Sequence, residues 1–309
     1  MTAPNRRNFL ACALRGAAGV SLAQFGSQAF AQAGPARVAA KPLADNLFLL
    51  SGAGANVIAR TGADGVLLVD GGKAENAAEL ARAVAALPGG RAVHTLFNTH
   101  WHPEQTGSNI PLAKAGATII AHANTRLWLT RNITRPGETV TYKRLPPEAL
   151  PKKTFYDKGE IAVDGERVQY GYMLQSHTDG DAYVFFPKAN VLAIGDVICG
   201  NAWPFVDWWT GGWINGIVSG LDTVLKVVNA DTRVVPAQGP VLAKADLDEQ
   251  RKMFNTIAQR LRTLMFGGKS LNDAIAADPT KEFNSRFGDP KEFVRQSFES
   301  MWPHFTPDA

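Results

Sequence analysis

Four short apolar runs in this chain end in side chains able to hold a metal ion or offer an amide, and no other feature restricts its fold as much. Val93–Phe97 leads into His100, His102, Glu104 and Gln105, and 171–174 leads into Gln175, His177, Asp179 and Asp181. Two further runs, 191–195 and 233–236, lead into Asp196 and Gln238. Short apolar runs bounded by turn residues read as buried strands. Ligands gathered from several strand ends are what a rigid scaffold needs to fix a metal's geometry. On an extended backbone residues i and i+2 point to the same side, so His100 and His102 reach one ion together, and neutral imidazole is the commonest protein ligand.

The rest of the chain alternates strands with helices. Three strands are expected over 46–51, 56–60 and 65–70, a helix over 74–87, and the strand at 93–97; a helix over 108–115, a strand over 117–121 and a short helix after His122 follow. Residues 131–153 are polar, carry four prolines and show no periodicity, which predicts a long surface loop of the lid or binding type. Strands resume at 160–163 and 167–174 around the Asp164-Gly165 turn pair, then at 182–186, 191–194 and 233–235. Helices are expected up to about residue 229 and again from Asp246. Two runs of strands, each followed by helices, argue for α/β layering.

At the N-terminus, Arg6-Arg7 followed by Phe9-Leu10, a Gly/Ala-rich stretch and Ala29-Phe30-Ala31 resembles a twin-arginine export signal. This predicts a signal peptide over 1–31, the export machinery as a partner, and a periplasmic or secreted location after cleavage near Ala31. The apolar stretch is too short and too broken by Gly, Ser and Gln for a stable membrane anchor. Cleavage removes Arg6, Arg7 and Arg15 and no acidic residue, so the formal charge of +4 falls by three to +1. A near-neutral surface exerts no strong pull on nucleic acid. Only Cys199 remains, so no internal disulfide is available and the core must supply the stability. The Ala/Pro-rich residues 32–44 read as a linker, 45–245 as the main domain, and 246–309 as a helical extension packed on it.

Taken in order, Val69-Asp70, His100-Trp101-His102-Pro103-Glu104-Gln105, Ser176-His177-Thr178-Asp179-Gly180, Gly195-Asp196 and Pro236-Ala237-Gln238-Gly239 resemble the motif series of the metallo-β-lactamase superfamily. The resemblance runs from about residue 45 to 244 and implies a four-layered αββα sandwich with its site along one edge of the two sheets. It also implies one metal on His100, His102 and His177. The family's second metal takes an Asp and a His of the first motif and the His of the last, with the G-D aspartate as bridge; here those positions are Glu104, Gln105, Gln238 and Asp196. An amide oxygen replaces imidazole poorly on zinc, and Glu is one methylene longer than Asp, so a single ion per chain is expected.

On this reading zinc is the expected cofactor and iron its alternative. Glu104 serves as general base, donates to a leaving group, or is a supporting surface carboxylate. Asp196 hydrogen-bonds the activated water or completes the coordination. Gln105 and Gln238 orient water or substrate, and Asp70 and Asp181 orient the ligand loops. Trp203, Trp208, Trp209 and Trp213 crowd a Gly-rich stretch interrupted by Pro204, so they are expected as aromatic walls around a small-molecule substrate, with packing of loop on sheet as the competing role. His94 reads as a packed strand histidine, His122 as the maker of a local hydrogen bond, and His304 carries no signal.

The resemblance implies a hydrolase that attacks an ester, lactone or amide carbonyl, β-lactams included, with metal-activated water, and the N-terminal segment predicts its export. Two other readings remain open: a non-haem iron oxygenase of the persulfide-dioxygenase type, because two histidines with Asp196 approach a facial triad, and a non-catalytic binding protein on the same scaffold.

Overall fold

The computed structural model describes residues 37–305; the expected signal peptide and its cleavage site lie outside the described residues. In chain order the first half carries β1 (Ala39–Ala44), β2 (Leu47–Ser51), β3 (Val57–Gly62), β4 (Gly65–Val69), α1 (Ala77–Ala85), β5 (Val93–Phe97), α2 (Pro103–Thr106), α3 (Asn109–Lys114), β6 (Thr118–His122), α4 (Ala123–Leu129) and β7 (Lys153–Phe155). The second half carries β8 (Lys158–Val163), β9 (Glu166–Tyr172), β10 (Ala182–Phe186), β11 (Val191–Gly195), α5 (Ile214–Leu225), β12 (Arg233–Pro236), β13 (Leu242–Ala243), α6 (Lys244–Phe266), α7 (Leu271–Ala276), α8 (Asn284–Phe287) and α9 (Lys291–Phe305).

The strands form two sheets. One runs β1 to β7 in sequence order, antiparallel through β4 and parallel from β4 to β7. The other runs β13-β12-β11-β10-β9-β8, with β11 and β12 its parallel pair. Side chains alternate across a strand, and β4 and β11 show why their sequences are apolar throughout. Leu67 and Val69 of β4 pack with Val191 and Ala193 of β11 between the sheets. Val66 and Leu68 face Leu80 and Val84 of α1, while Leu192 and Ile194 face Leu221 of α5 and Phe254 of α6. Helix, sheet, sheet, helix is therefore the layer order, and both sheets are covered on both faces.

One boundary differs from that read in the sequence. Residues 39–44, expected as linker, form β1, an edge strand paired antiparallel with β2. Four of its six residues are exposed, so it carries no hydrophobic pattern, and Pro42 is tolerated at a sheet edge. The helices after 245, expected as an extension packed on the domain, do pack on it. Phe254, Ile257 and Leu261 of α6 and Phe298 and Met301 of α9 share one buried cluster with Leu192 and Val234, so they form part of the fourth layer. Within 131–153 the backbone is held by an isolated bridge between Ile133 and Tyr142, and its last residue begins β7, whose partner β6 lies 31 residues upstream and is invisible to local periodicity. Among the described residues no helix is long and apolar enough to cross a membrane.

Candidate metal centre

The centre is assembled where β5, β9, β11 and β12 end. At the end of β4, Asp70 turns the chain with a left-handed φ of 65°, a conformation Asp tolerates better than most residues. Its buried carboxylate accepts the Thr99 backbone N–H at 2.8 Å and the Thr99 hydroxyl at 2.9 Å, which fixes the backbone next to His100. Burial pushes the Asp70 carboxyl well above the usual range, against the pull of the Thr99 bonds. Asp181 does the same after β9, accepting the Thr178 N–H at 2.7 Å and its hydroxyl at 3.0 Å beside His177. Gly195, with φ of 61°, brings the β11 turn against Thr99, where a Cβ would come within 2.9 Å of the hydroxyl.

His100, His102, His177 and Asp196 converge, with one ligand atom from each within 4.8 Å of the others. The hydrogen bonds on the outer side of each ring assign the tautomers. His177 Nδ1 lies 2.6 Å from the Phe205 carbonyl, which only accepts, so the proton is on Nδ1 and Nε2 is bare. His102 Nε2 lies 2.9 Å from Oδ2 of Asp207 and donates to it, leaving Nδ1 bare. These two bare nitrogens face each other at 3.0 Å. His100 Nδ1 lies 3.2 Å from the Thr99 hydroxyl, already committed as donor to Asp70, and His100 Nε2 is buried without a hydrogen bond, 3.5 Å from Asp196 Oδ2. Lone pairs brought this close in a buried space repel unless a cation lies between them, so the residues fit a metal ion. Imidazoles whose outer N–H is held by a carboxylate or carbonyl are the usual form of metal-binding histidine.

Electrostatics agree. Burial is the largest cause that holds His100 and His102 well below the ordinary imidazole pKa, with the neighbouring rings adding to it, and it lowers His177 to about 4 despite the Phe205 carbonyl. All three are neutral, as ligands must be. Asp196 is raised to about 7, first by burial and then by Glu104, while a bond from Gln105 Nε2 at 3.0 Å opposes the shift. A bound cation reverses that penalty by favouring the carboxylate.

The family model for the metallo-beta-lactamase superfamily matches residues 52–290. The chain belongs to the metallo-beta-lactamase superfamily. Among solved structures, a metallo-beta-lactamase from Pontibacter korlensis is 15% identical over 71% of this chain and 99% of its own, with a TM-score of 0.58. The DIM-1 metallo-beta-lactamase is 18% identical over 71% of this chain and 98% of its own, at 0.58. The stereoselective inverting sec-alkylsulfatase Pisa1 from Pseudomonas sp. is 14% identical over 88% of this chain, at 0.63, and this chain spans 51% of its length. At these identities the likeness is one of fold. No curated protein matches the chain.

In this superfamily member the centre opens on a cleft of about 310 Å³. Glu104, Gln238 and Trp203 line it together with His102, His177 and Asp196. Gln105 is buried and bonded to Asp196 instead, and Gln238 donates to the Gly54 carbonyl at 3.0 Å. Of the four tryptophans, Trp203 alone lines this cleft, with its ring stacked on Phe293 at 4.7 Å. Trp208 and Trp209 line an adjoining cavity of about 460 Å³ that shares Arg135 and Phe205 with the cleft. Trp213, expected as a substrate wall, stacks on His304 of α9 at 3.8 Å and lines neither cavity. His94 bonds the adjacent Thr95 hydroxyl, and His122 stacks on Tyr172 at 3.9 Å; neither enters the centre.

Four residues of the site had not been singled out in the sequence. Asp207 carries His102, and Arg135, from the 131–153 loop, lies 3.6 Å from Asp207 while its guanidinium stacks against Tyr142 and Phe205 at 4.9 and 4.8 Å. Burial raises the Asp207 carboxyl, and Arg135 is the strongest opposing influence. Asp207 had one signal available: it is the sole charged residue among 201–213, and an acid in an aromatic, Gly-rich loop needs a buried partner. Nothing in the sequence distinguishes Arg135 from Arg131 or Arg144.

Proposed function

We propose that the protein is an exported hydrolase with one resident metal ion, acting on an ester, lactone or amide of small size. The observation that carries the proposal is the set of three bare imidazole nitrogens and one carboxylate converging beside a cleft of about 310 Å³. His100, His102 and His177 would hold the ion, with Asp196 beside it to hydrogen-bond water. Three nitrogens and an open position suit catalytic zinc, which when bound polarises a carbonyl and lowers the pKa of water to about 7.

The chain's own groups supply the rest. Asp207 and the Phe205 carbonyl keep the His102 and His177 rings in the tautomer that binds. Gln105 Nε2 anchors Asp196 Oδ2, so that carboxylate keeps one orientation. Glu104 lines the cleft and is the proton acceptor in this reading, within reach of substrate and water. Tyr142, Trp203 and Phe205 give the cleft aromatic walls that take the apolar part of a substrate and exclude bulk water.

Metal content after aerobic and anaerobic purification tests the reading first: about one zinc per chain is expected, and iron with O₂ uptake would overturn it. Ester, lactone, β-lactam and thioester panels follow, with secondary alkyl sulfates added because the alkylsulfatase fold covers 88% of this chain. Hydrolysis of any of these must disappear in His102→Ala. The export reading rests on Arg6-Arg7 and Ala29-Phe30-Ala31; N-terminal sequencing of protein recovered outside the cytoplasm should begin near Gln32.

A further inference from the structure

Sharing Asp196 with the candidate metal centre is a group of oxygen-bearing side chains, Glu104, Gln105, Asp196 and Gln238. Glu104, Asp196 and Gln238 line the same cleft. Gln105 is fully buried, and while its Nε2 holds Asp196, its Oε1 has no partner. Two carboxylates and amide oxygens beside a bound metal are the donor set that collects a second, hard divalent cation. The chain brings its own cation instead. Lys73 Nζ lies 3.3 Å from Oε1 of Glu104.

The path of Lys73 is built into two clasped turns. The Lys73 backbone N–H donates to the Ala53 carbonyl at 2.8 Å. Its side chain then crosses Gly54, where a Cβ would lie 2.6 Å from Lys73 Cγ and 2.9 Å from Cδ, and where φ is 97°. Glycine is needed there both for the left-handed backbone and for the space. The Gly54 carbonyl in turn accepts Gln238 Nε2 at 3.0 Å, so one turn seats both the lysine and one amide of the group.

We infer that Lys73 is a positioning residue which acts as the covalent counter-cation of this group, holding Glu104 at the cleft and keeping a second divalent ion out. The inference rests on the proposed metal centre. A unit charge a few ångströms from a dication in a partly buried site weakens its binding by a tenfold factor or more.

The full mature chain is first loaded with Zn²⁺ and its metal content measured; a wild-type protein that retains no zinc overturns the parent reading, not this one. Zinc-loaded wild type, Lys73→Met and Lys73→Arg are then titrated with Mn²⁺ and free Mn²⁺ is followed by EPR. Lys73 is 40% exposed, so neither change threatens folding. Expected are no second ion in wild type, Mn²⁺ binding at least about tenfold tighter in Lys73→Met, and exclusion restored in Lys73→Arg because the charge is kept. Two zinc ions per wild-type chain, equal Mn²⁺ binding in wild type and Lys73→Met, or Lys73→Arg behaving like Lys73→Met would overturn the inference.

Discussion

In the proposed metal centre Asp207 acts through His102, and its removal is the sharpest test of how the centre is held. The carboxylate is buried, with Oδ2 at 2.9 Å from His102 Nε2 and Oδ1 accepting the Thr210 N–H at 3.3 Å. A hydrogen bond to a buried charged group contributes about 1.5–3 kcal/mol, and losing such a partner of a ligating histidine costs about 10–100-fold in metal affinity. Those two ranges agree, since tenfold is about 1.4 kcal/mol. Asp207→Asn keeps one acceptor, which serves either His102 or Thr210, so it should sit near the tenfold end; Asp207→Ala should sit near a hundredfold. Competition for zinc against a chromophoric chelator reads both. In a His102→Ala background the same Asp207→Ala change should cost nothing further, because the pathway is already cut. Wild-type affinity in Asp207→Ala, or an equal loss with and without His102, would refute the reasoning.

Four other outcomes follow from the structure. Glu166→Ala leaves Arg60, paired to it at 3.1 Å in the interior, without its partner; chemical denaturation should show a loss of about 3–5 kcal/mol, largely recovered in the double change Arg60→Met with Glu166→Leu. Phe205→Ala should raise KM, because Phe205 lines the cleft, whereas Trp213→Phe should leave KM unchanged, because Trp213 stacks on His304. Gly216→Ala would drive a Cβ into the Gln175 carbonyl next to the His177 loop, so metal content and melting temperature should fall together. Burial lowers the pKa of His122 from its ordinary 6.5, against the Tyr156 carbonyl bond. The unfolded chain therefore takes up this proton first as pH falls through about 6.5, so His122's contribution to stability is full above that value and lost below it; melting curves of His122→Gln should show a shallower acid decline than wild type.

What was legible in the sequence was whatever is encoded over a few residues. The apolar runs at 65–69 and 191–195 announced strands buried on both faces, and the spacing of His100 and His102 put two imidazoles on one side of an extended chain. The ordered motifs added His177 and Asp196, and these four residues do meet. Edge strand β1 was not legible, because an exposed strand needs no hydrophobic alternation and is defined by its partner. The helices after 245 were legible as packed on the domain, but not the sheet they cover, since an apolar helical stripe does not say which sheet it faces.

The sequence by itself determined the fold class, the three histidines and the aspartate that converge; tertiary structure alone decided what holds and surrounds them. Asp207 reaches His102 across 105 positions, Arg135 arrives from a loop without periodicity, and Lys73 finds Glu104 only because Gly54 leaves it room. Ligand spacing is a property of local backbone geometry, whereas the pairing of buried charges depends on which distant segments the packed layers bring within a few ångströms.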